Sequence, residues 1–136
     1  MRFMMLMYPG AKAELQALPD EKAIAAMMKY NEELTKAGVL LGLDGLQPSS
    51  RGARVRYAGG KATVTDGPFT ESKELLGRYW MIQVTSREEA IEWARRIPGS
   101  DDEMVEVRQV FEVADFTHIS PGLAADAKAI EQKLAR

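Results

Sequence analysis

Hydrophobic side chains follow two kinds of pattern along the chain, continuous runs and helical spacing, and these patterns predict its secondary structure. Residues Arg2–Tyr8 form a continuous apolar run of strand length that ends before Pro9. Such a run is typical of a strand whose two faces are both covered. Residues 20–37 instead place apolar side chains at helical spacing, with acidic residues in the first turn and Gly38 after the last. This second segment is predicted to be a helix.

The same patterns predict the remaining elements. Strands are expected at 39–46, 78–85 and 104–113, a glycine-turned hairpin at 54–65, and a helix from the capping pattern Ser86-Arg87-Glu88-Glu89 to Ile97. Ser120 and Pro121 are typical first residues of a helix. Apolar residues then form one stripe as far as Leu134, so this last helix is expected to dock on its own or on a partner subunit.

Without the inserted hairpin, the predicted order is β-α-β-β-α-β, the ferredoxin-like arrangement of an α+β domain. In this arrangement both helices cover the same face of the sheet. The first strand, however, has apolar residues on both of its faces, and the strand at 78–85 is similar. An uncovered second face would expose more apolar surface than the roughly 300–600 Å² typical of a monomer. The sequence therefore predicts a homodimer in which two sheets pack face to face.

Composition excludes several kinds of chemistry. The 136 residues include no cysteine and one histidine, so disulfides, thiolate ligands and a multi-histidine metal centre are not available within one chain. The net charge of −2 gives no concentrated positive field for nucleic acid. No apolar run reaches the roughly 18 residues that span a bilayer. We expect a cytoplasmic protein with no metal, no cofactor and neither nucleic acid nor membrane as a partner.

The segment from Asp66 to Glu74 has the most unusual composition in the chain. It carries three carboxylates and one ammonium group between two predicted strands, and Pro68 restricts its backbone. Such a loop can hold Glu71 and Lys73 in a defined geometry, which a binding or catalytic site requires.

Several separated motifs resemble one family. These are DGPFTESKE, the opening MRFMMLMY, the segment VLLGLDGLQPSS, the strand GRYWMIQV and the closing VEVRQV. In this order they are similar to the DGPF-domain branch of the YCII-related family. The resemblance covers residues 1–113 and leaves 114–136 as a C-terminal helical extension of the same domain. It implies a ferredoxin-like fold that pairs as a dimeric α/β barrel, with cavities between sheet and helices or at the subunit interface.

The resemblance and the chemistry of the residues together suggest candidate site residues. Related proteins place a histidine and an aspartate in a pocket, whereas the only histidine here is His118, in the extension. Carboxylates would then carry any proton transfer, and burial beside apolar walls would raise their pKa toward neutrality. The catalytic candidates are Asp66, which matches the motif, followed by Asp44 and Glu71. The candidates for substrate binding are Arg108, Tyr8, Tyr79 and Lys73.

Each candidate also has a structural interpretation. Asp66 and Asp44 are suited to turns or bulges, Glu71 and Lys73 to exposed ion pairs, and Arg108 to a pair with Glu106 or with a carboxylate across the dimer. Two functions follow from these alternatives. One is a small-molecule enzyme that uses carboxylate acid/base chemistry in an isomerase or lyase-type step. The other is a non-catalytic ligand-binding or regulatory module, which the resemblance associates with alternative sigma factors.

Overall fold

A four-stranded antiparallel sheet lies at the centre of the structure, which is a computed structural model that describes residues 1–10, 18–69 and 74–134. The strands are β1 (Arg2–Tyr8), β2 (Leu40–Gly45), β3 (Ala53–Ala58), β4 (Lys61–Asp66), β5 (Arg78–Gln83) and β6 (Met104–Gln109). The helices are α1 (Glu21–Lys36), α2 (Arg87–Arg95) and α3 (Pro121–Leu134). In the sheet the order is β2-β5-β1-β6, while β3 and β4 pair with each other as a separate hairpin. This mixed architecture agrees with the predicted α+β class.

Helices α1 and α2 begin at the residues that the sequence indicates, and α1 also ends as predicted, before Gly38. Asp20 caps α1 by accepting a hydrogen bond from the Ala23 amide at 2.8 Å. The Ser86 hydroxyl likewise accepts from the Glu89 amide at 3.1 Å and begins α2. Gly38 has a φ of 72°, a left-handed conformation that glycine adopts without strain, and it follows the end of α1. These local signals are confirmed because each depends only on groups a few residues apart.

The last strand is shorter than predicted. The expectation of a strand to Val113 is wrong, since β6 ends at Gln109 and the Phe111 side chain is 71% exposed rather than buried with the core. After β6, Glu112 fixes the chain to the start of β1 instead. Its carboxylate accepts two hydrogen bonds from the Arg2 guanidinium at 2.8 and 3.1 Å. This charge-assisted contact lowers the pKa of Glu112. Similarly, α2 ends at Arg95, before the predicted Ile97.

The core lies between the sheet and the helices α1 and α2. Phe3, Met5 and Met7 alternate along β1 toward this side, and Trp80 and Ile82 of β5 do the same. Helix α1 contributes Tyr30 and Leu34, and α2 contributes Ala90. Period-2 strands and period-3.6 helices can both present one apolar face, and here those faces meet.

A polar network crosses this core. The Trp80 ring meets Tyr30 edge-on, with 5.9 Å between the ring centroids. The Trp80 indole N–H donates to Asn31 Oδ1 at 2.8 Å, and the Tyr30 hydroxyl donates to the carbonyl of Trp93 at 2.7 Å. Burial raises the pKa of Tyr30, so its hydroxyl stays protonated and can act as this donor. Both polar atoms of the buried aromatic pair are therefore satisfied.

The opposite side of the sheet, called the open face below, is not covered by α1 or α2. It carries the alternate residues of the same strands, among them Met4, Leu6, Tyr8, Tyr79 and Met81, which are all half-buried. In the register, Met4 lies opposite Met81, and Leu6 lies opposite Tyr79. Apolar side chains thus occupy both faces of β1, as the sequence predicts.

Candidate functional site

A cleft of about 550 Å³ opens at one end of the sheet. Because neighbouring strands are antiparallel, the ends of β1 and β2 meet the starts of β5 and β6 here. Arg78 of β5 lies between Met7 of β1 and Gly45 of β2. Tyr8 of β1 lies opposite Met104 of β6. The beginning of α1 covers this end from the helix side. The volume is within the roughly 300–1,000 Å³ of small-molecule sites.

Much of the cleft wall is apolar. The first two turns of α1 contribute Ile24, Met27 and Met28, while Leu46 and Leu76 come from the segments beside the strand ends. Methionine side chains are flexible and polarizable, so they adapt to ligands of different outline. This wall suits an aliphatic or aromatic group.

Two glycines bring the backbone segments of the cleft close together. A Cβ on Gly77 would lie 2.7 Å from the Pro9 ring, and a Cβ on Gly10 would overlap the carboxylate of Asp102. Glycine at these positions lets the end of β1 lie against the segment before β5. It also lets the Asp102 carboxylate rest directly on the backbone at Gly10.

Three carboxylates line the cleft, and they differ in how far they are already engaged. Asp20 caps α1. Glu103 accepts two hydrogen bonds from Ser100: the Ser100 amide donates at 2.8 Å and the Ser100 hydroxyl donates at 2.7 Å. Asp102 has a single long contact of 3.4 Å with the Ser100 hydroxyl. Among these described carboxylates, Asp102 therefore has the most free capacity to accept a proton or a hydrogen bond.

The cleft also contains donors. Arg78 has the same strand parity as Trp80, so its side chain points to the helix side of the sheet and lines the cleft. It forms no ion pair with a carboxylate in the part of the chain that the structure describes. Asn31 also lines the cleft, and because its Oδ1 accepts from Trp80, its amide nitrogen is the group that can donate to a ligand.

The described residues of the cleft combine a guanidinium that forms an ion pair with none of their carboxylates and a lightly engaged carboxylate beside apolar walls. Such a set can bind an organic anion through charge-assisted hydrogen bonds and hold its apolar part away from water. In residues 1–10, 18–69 and 74–134 no group of three or more carboxylate or histidine side chains is placed to hold a metal ion.

Four of the residues predicted for the site lie together on the open face instead. Tyr8, Tyr79, Asp44 and Arg108 all occupy strand positions of that parity. The Tyr79 hydroxyl donates to Asp44 Oδ2 at 2.9 Å. This hydrogen bond raises the pKa of Tyr79, because the neighbouring carboxylate favours the neutral phenol. Arg108 lies 3.7 Å from Glu106 on the same strand, which is the structural interpretation that the sequence allowed.

Asp66 lies elsewhere, at the end of β4, where it is exposed and does not line the cleft. The residues that follow it join the hairpin to the turn at 49–51. The Gly67 amide donates to the Gly52 carbonyl at 3.0 Å, and the Phe69 amide donates to the Ser49 hydroxyl at 3.1 Å. The Arg54 guanidinium lies 3.9 Å from the Phe69 ring centroid. Glu71 and Lys73 fall outside the described residues.

Replacing Gly67 with alanine is expected to destabilise the fold by about 1–3 kcal/mol, because the new Cβ would overlap the Ser49 backbone carbonyl. Urea unfolding followed by circular dichroism measures this effect. Gly42→Ala is the matched control, since a Cβ there meets nothing within 4 Å. Equal effects of the two substitutions would contradict the close packing of Gly67 against the turn.

Sequence reasoning missed Arg78 and Asp102. The available signal was topological: in an antiparallel sheet, the segment Ser100–Glu103 before the last strand must lie beside the end of the first strand. The acidic run Asp101-Asp102-Glu103 therefore had to approach Pro9 and Gly10, and the start of the strand at Arg78 had to lie next to them.

The sheet and cleft define a mixed α/β protein with a small-molecule-sized cavity at one sheet end. The YCII-related domain matches residues 1–114, and the chain belongs to this family. An uncharacterised protein of Rhizobium meliloti (strain 1021) is 30% identical over 82 residues, which are 60% of this chain and 66% of that protein. None of the helices in the described ranges has both the length and the apolar character needed to cross a bilayer.

Proposed function

We propose that this YCII-related protein is a small-molecule enzyme that binds a partly apolar organic anion in the cleft and transfers a proton on it. The observation that carries the proposal is that one cavity contains both a group that can bind an anion and a group that can accept a proton. Arg78 has no carboxylate partner in the described part of the chain, and Asp102 is the least engaged of the three lining carboxylates. A guanidinium that can bind an anion and a carboxylate that can accept a proton are the two groups that proton transfer on an organic anion requires.

The chemistry assigns a role to each group. Arg78 binds the carboxylate of the ligand through its planar fork, and the Asn31 amide donates to a second oxygen. Met27 and Met28 contact the apolar part. Asp102 takes a proton from a carbon next to a carbonyl, and the same proton returns to a neighbouring atom, which completes an isomerisation without a co-reactant.

The finer details of the fold belong to the same proposal. The order β2-β5-β1-β6 with antiparallel pairing supports a ferredoxin-like core, and the half-buried apolar side chains of the open face support a homodimer of the dimeric α/β barrel type. In such a dimer the Tyr79–Asp44 pair would lie at the subunit interface. The subdivision into a domain at 1–113 and an extension at 114–136 stays a prediction.

Arg78→Met is expected to weaken the binding of small carboxylates about 10- to 100-fold, since a charge-assisted hydrogen bond contributes roughly 1.5–3 kcal/mol. Isothermal titration calorimetry with benzoate and hexanoate measures the dissociation constant. Benzamide, which lacks the charge, serves as the ligand control. Arg95→Met, at an exposed arginine of α2, serves as the protein control.

Unchanged benzoate and hexanoate affinity in Arg78→Met would overturn the assignment of Arg78 as the anion-binding residue. Binding of both acids, together with no protein-dependent deuterium exchange of phenylpyruvate or 2-oxobutyrate in D₂O, would support the non-catalytic alternative, in which the cleft senses an organic acid.

A further inference from the structure

Asn31 of α1 belongs to the wall of the cleft, and its side chain is also bonded to the core. It follows Ile24, Met27 and Met28 at helical spacing, so it continues their side of α1 by one turn. Its Oδ1 accepts the hydrogen bond from the indole N–H of Trp80, a residue that is 1% exposed. The orientation of a polar side chain in the cleft is therefore set by a residue of the core.

This hydrogen bond determines which end of the Asn31 amide meets a ligand. An indole N–H can only donate, so the amide oxygen faces Trp80 and the amide nitrogen faces away from it. Among the described residues no acceptor takes a hydrogen of Asn31 Nδ2, and Nδ2 is not one of their buried polar atoms left without a partner. It is therefore accessible, and Asn31 presents a donor to the cleft.

The guanidinium of Arg78 lies near this donor along β5. Arg78 and Trp80 are two residues apart on the helix side of the sheet, so their Cα atoms are separated by about 6.6 Å. Arg78 and Asn31 also line the same cleft. A ligand whose carboxylate is bound by Arg78 can thus place the next polar group of its chain at the Asn31 amide.

We propose that the Trp80–Asn31 hydrogen bond makes the cleft selective for 2-oxo acids, with Asn31 binding the oxo oxygen and Trp80 acting as a positioning residue. The oxo oxygen is an acceptor on the carbon next to the carboxylate, and it matches the Nδ2 donor. The ammonium group of a 2-amino acid is itself a donor and would meet this N–H group without a bond. The inference rests on the proposed anion binding by Arg78 and deepens it by specifying the substrate class.

The same contact assists the proposed proton transfer. Asp102 takes a proton from carbon 3, the electron pair of that C–H bond forms a double bond between carbons 2 and 3, and the π pair of the carbonyl moves to its oxygen. The Asn31 N–H donates to this oxygen as its negative charge develops. Transfer of the proton from Asp102 to the oxygen gives the enol, and its return to carbon 3 restores the oxo acid, so no co-reactant is consumed.

Three ligands that differ only at carbon 2, hexanoate, 2-oxohexanoate and 2-aminohexanoate, test the selectivity by isothermal titration calorimetry. We expect the wild-type chain to bind 2-oxohexanoate about 3- to 10-fold more tightly than hexanoate, the effect of one net hydrogen bond, and 2-aminohexanoate most weakly. Equal binding of hexanoate and 2-oxohexanoate would overturn the selectivity and leave the anion site at Arg78 standing. Tighter binding of 2-aminohexanoate would also overturn it, since the lining carboxylates would then select the ligand. Absence of binding for all three would overturn the anion site as well.

Trp80→Phe and Tyr30→Phe form a matched pair, because each removes one hydrogen bond from the same buried aromatic pair. Only Trp80→Phe releases the Asn31 amide, so it should lose the preference for 2-oxohexanoate while binding hexanoate like the wild type. Tyr30→Phe loses only its bond to the Trp93 carbonyl and should keep the preference. A purely structural role of Trp80 would change the binding of all three ligands alike. The same preference in both variants would overturn the positioning role.

Two substitutions of Asn31 test the donor directly and do not depend on the stability of Trp80→Phe. Asn31→Leu removes the donor, so hexanoate and 2-oxohexanoate should bind equally. Asn31→Asp still accepts from Trp80 but turns a carboxylate oxygen toward the ligand, so the preference should shift from 2-oxohexanoate toward 2-aminohexanoate by at least about tenfold. Circular dichroism verifies the fold of each variant. A wild-type order of affinities in both variants would show that Asn31 does not select the ligand.

Discussion

Replacing Trp80 by alanine is expected to lower the free energy of unfolding by about 3–5 kcal/mol, a large part of the roughly 5–15 kcal/mol that a domain has in total. Trp80 is 1% exposed, packs edge-on against Tyr30 and donates to Asn31. Alanine would leave a cavity between the sheet and α1, and it would also leave Asn31 Oδ1 without its donor. Urea unfolding at fixed protein concentration measures the change.

Two further substitutions separate the contributions at Trp80. Trp80→Phe keeps most of the ring but removes the N–H, so it should cost less than alanine and should also disturb the orientation of Asn31 in the cleft. Phe111→Ala removes an aromatic ring that is 71% exposed and should change stability by no more than about 0.5 kcal/mol. A similar cost at positions 80 and 111 would contradict the assignment of Trp80 to the core.

Trp80 also shows why the fold is easier to predict from the sequence than the site. The burial of Trp80 and Ile82 follows from the period of two within one strand, and the caps at Asp20 and Ser86 follow from contacts over three residues. These are local regularities. The end of β6 was misjudged because the alternation continues to Val113, while a long-range contact between Arg2 and Glu112 holds the chain after Gln109.

The site depends on contacts between distant segments, so its composition was not predictable from local motifs. The acidic loop after Asp66 has the more unusual sequence, but the described part of it joins the hairpin to the turn at 49–51. Gly67 is required there because a side chain at this position would overlap Ser49. The plain sequence Ser100–Glu103, in contrast, supplies carboxylates to the cleft.

Asp102→Asn is expected to lower the rate of proton transfer by about 10²- to 10⁴-fold, the usual contribution of a positioned general base. The substitution keeps the shape of the side chain and its contacts with Gly10 and Ser100, but the amide cannot accept the proton. Phenylpyruvate and 2-oxobutyrate, two organic anions with a hydrogen next to a carbonyl, serve as probes in D₂O. Proton NMR then follows their deuterium exchange in the presence and absence of protein.

Two matched substitutions identify which carboxylate acts. Asp101→Asn changes the neighbouring exposed aspartate, which does not line the cleft, and Asp66→Asn changes the aspartate of the hairpin end. Both variants should catalyse deuterium exchange of the probes at the wild-type rate, because neither carboxylate reaches a ligand held by Arg78. Loss of exchange in Asp66→Asn with an unchanged melting temperature would instead move the chemistry to the loop after β4.

The affinity for benzoate should stay within about threefold in Asp102→Asn, since removing a negative charge near the bound carboxylate does not weaken its contact with Arg78. A fall in exchange without a fall in affinity is the signature of a group that acts on the reaction rather than on binding.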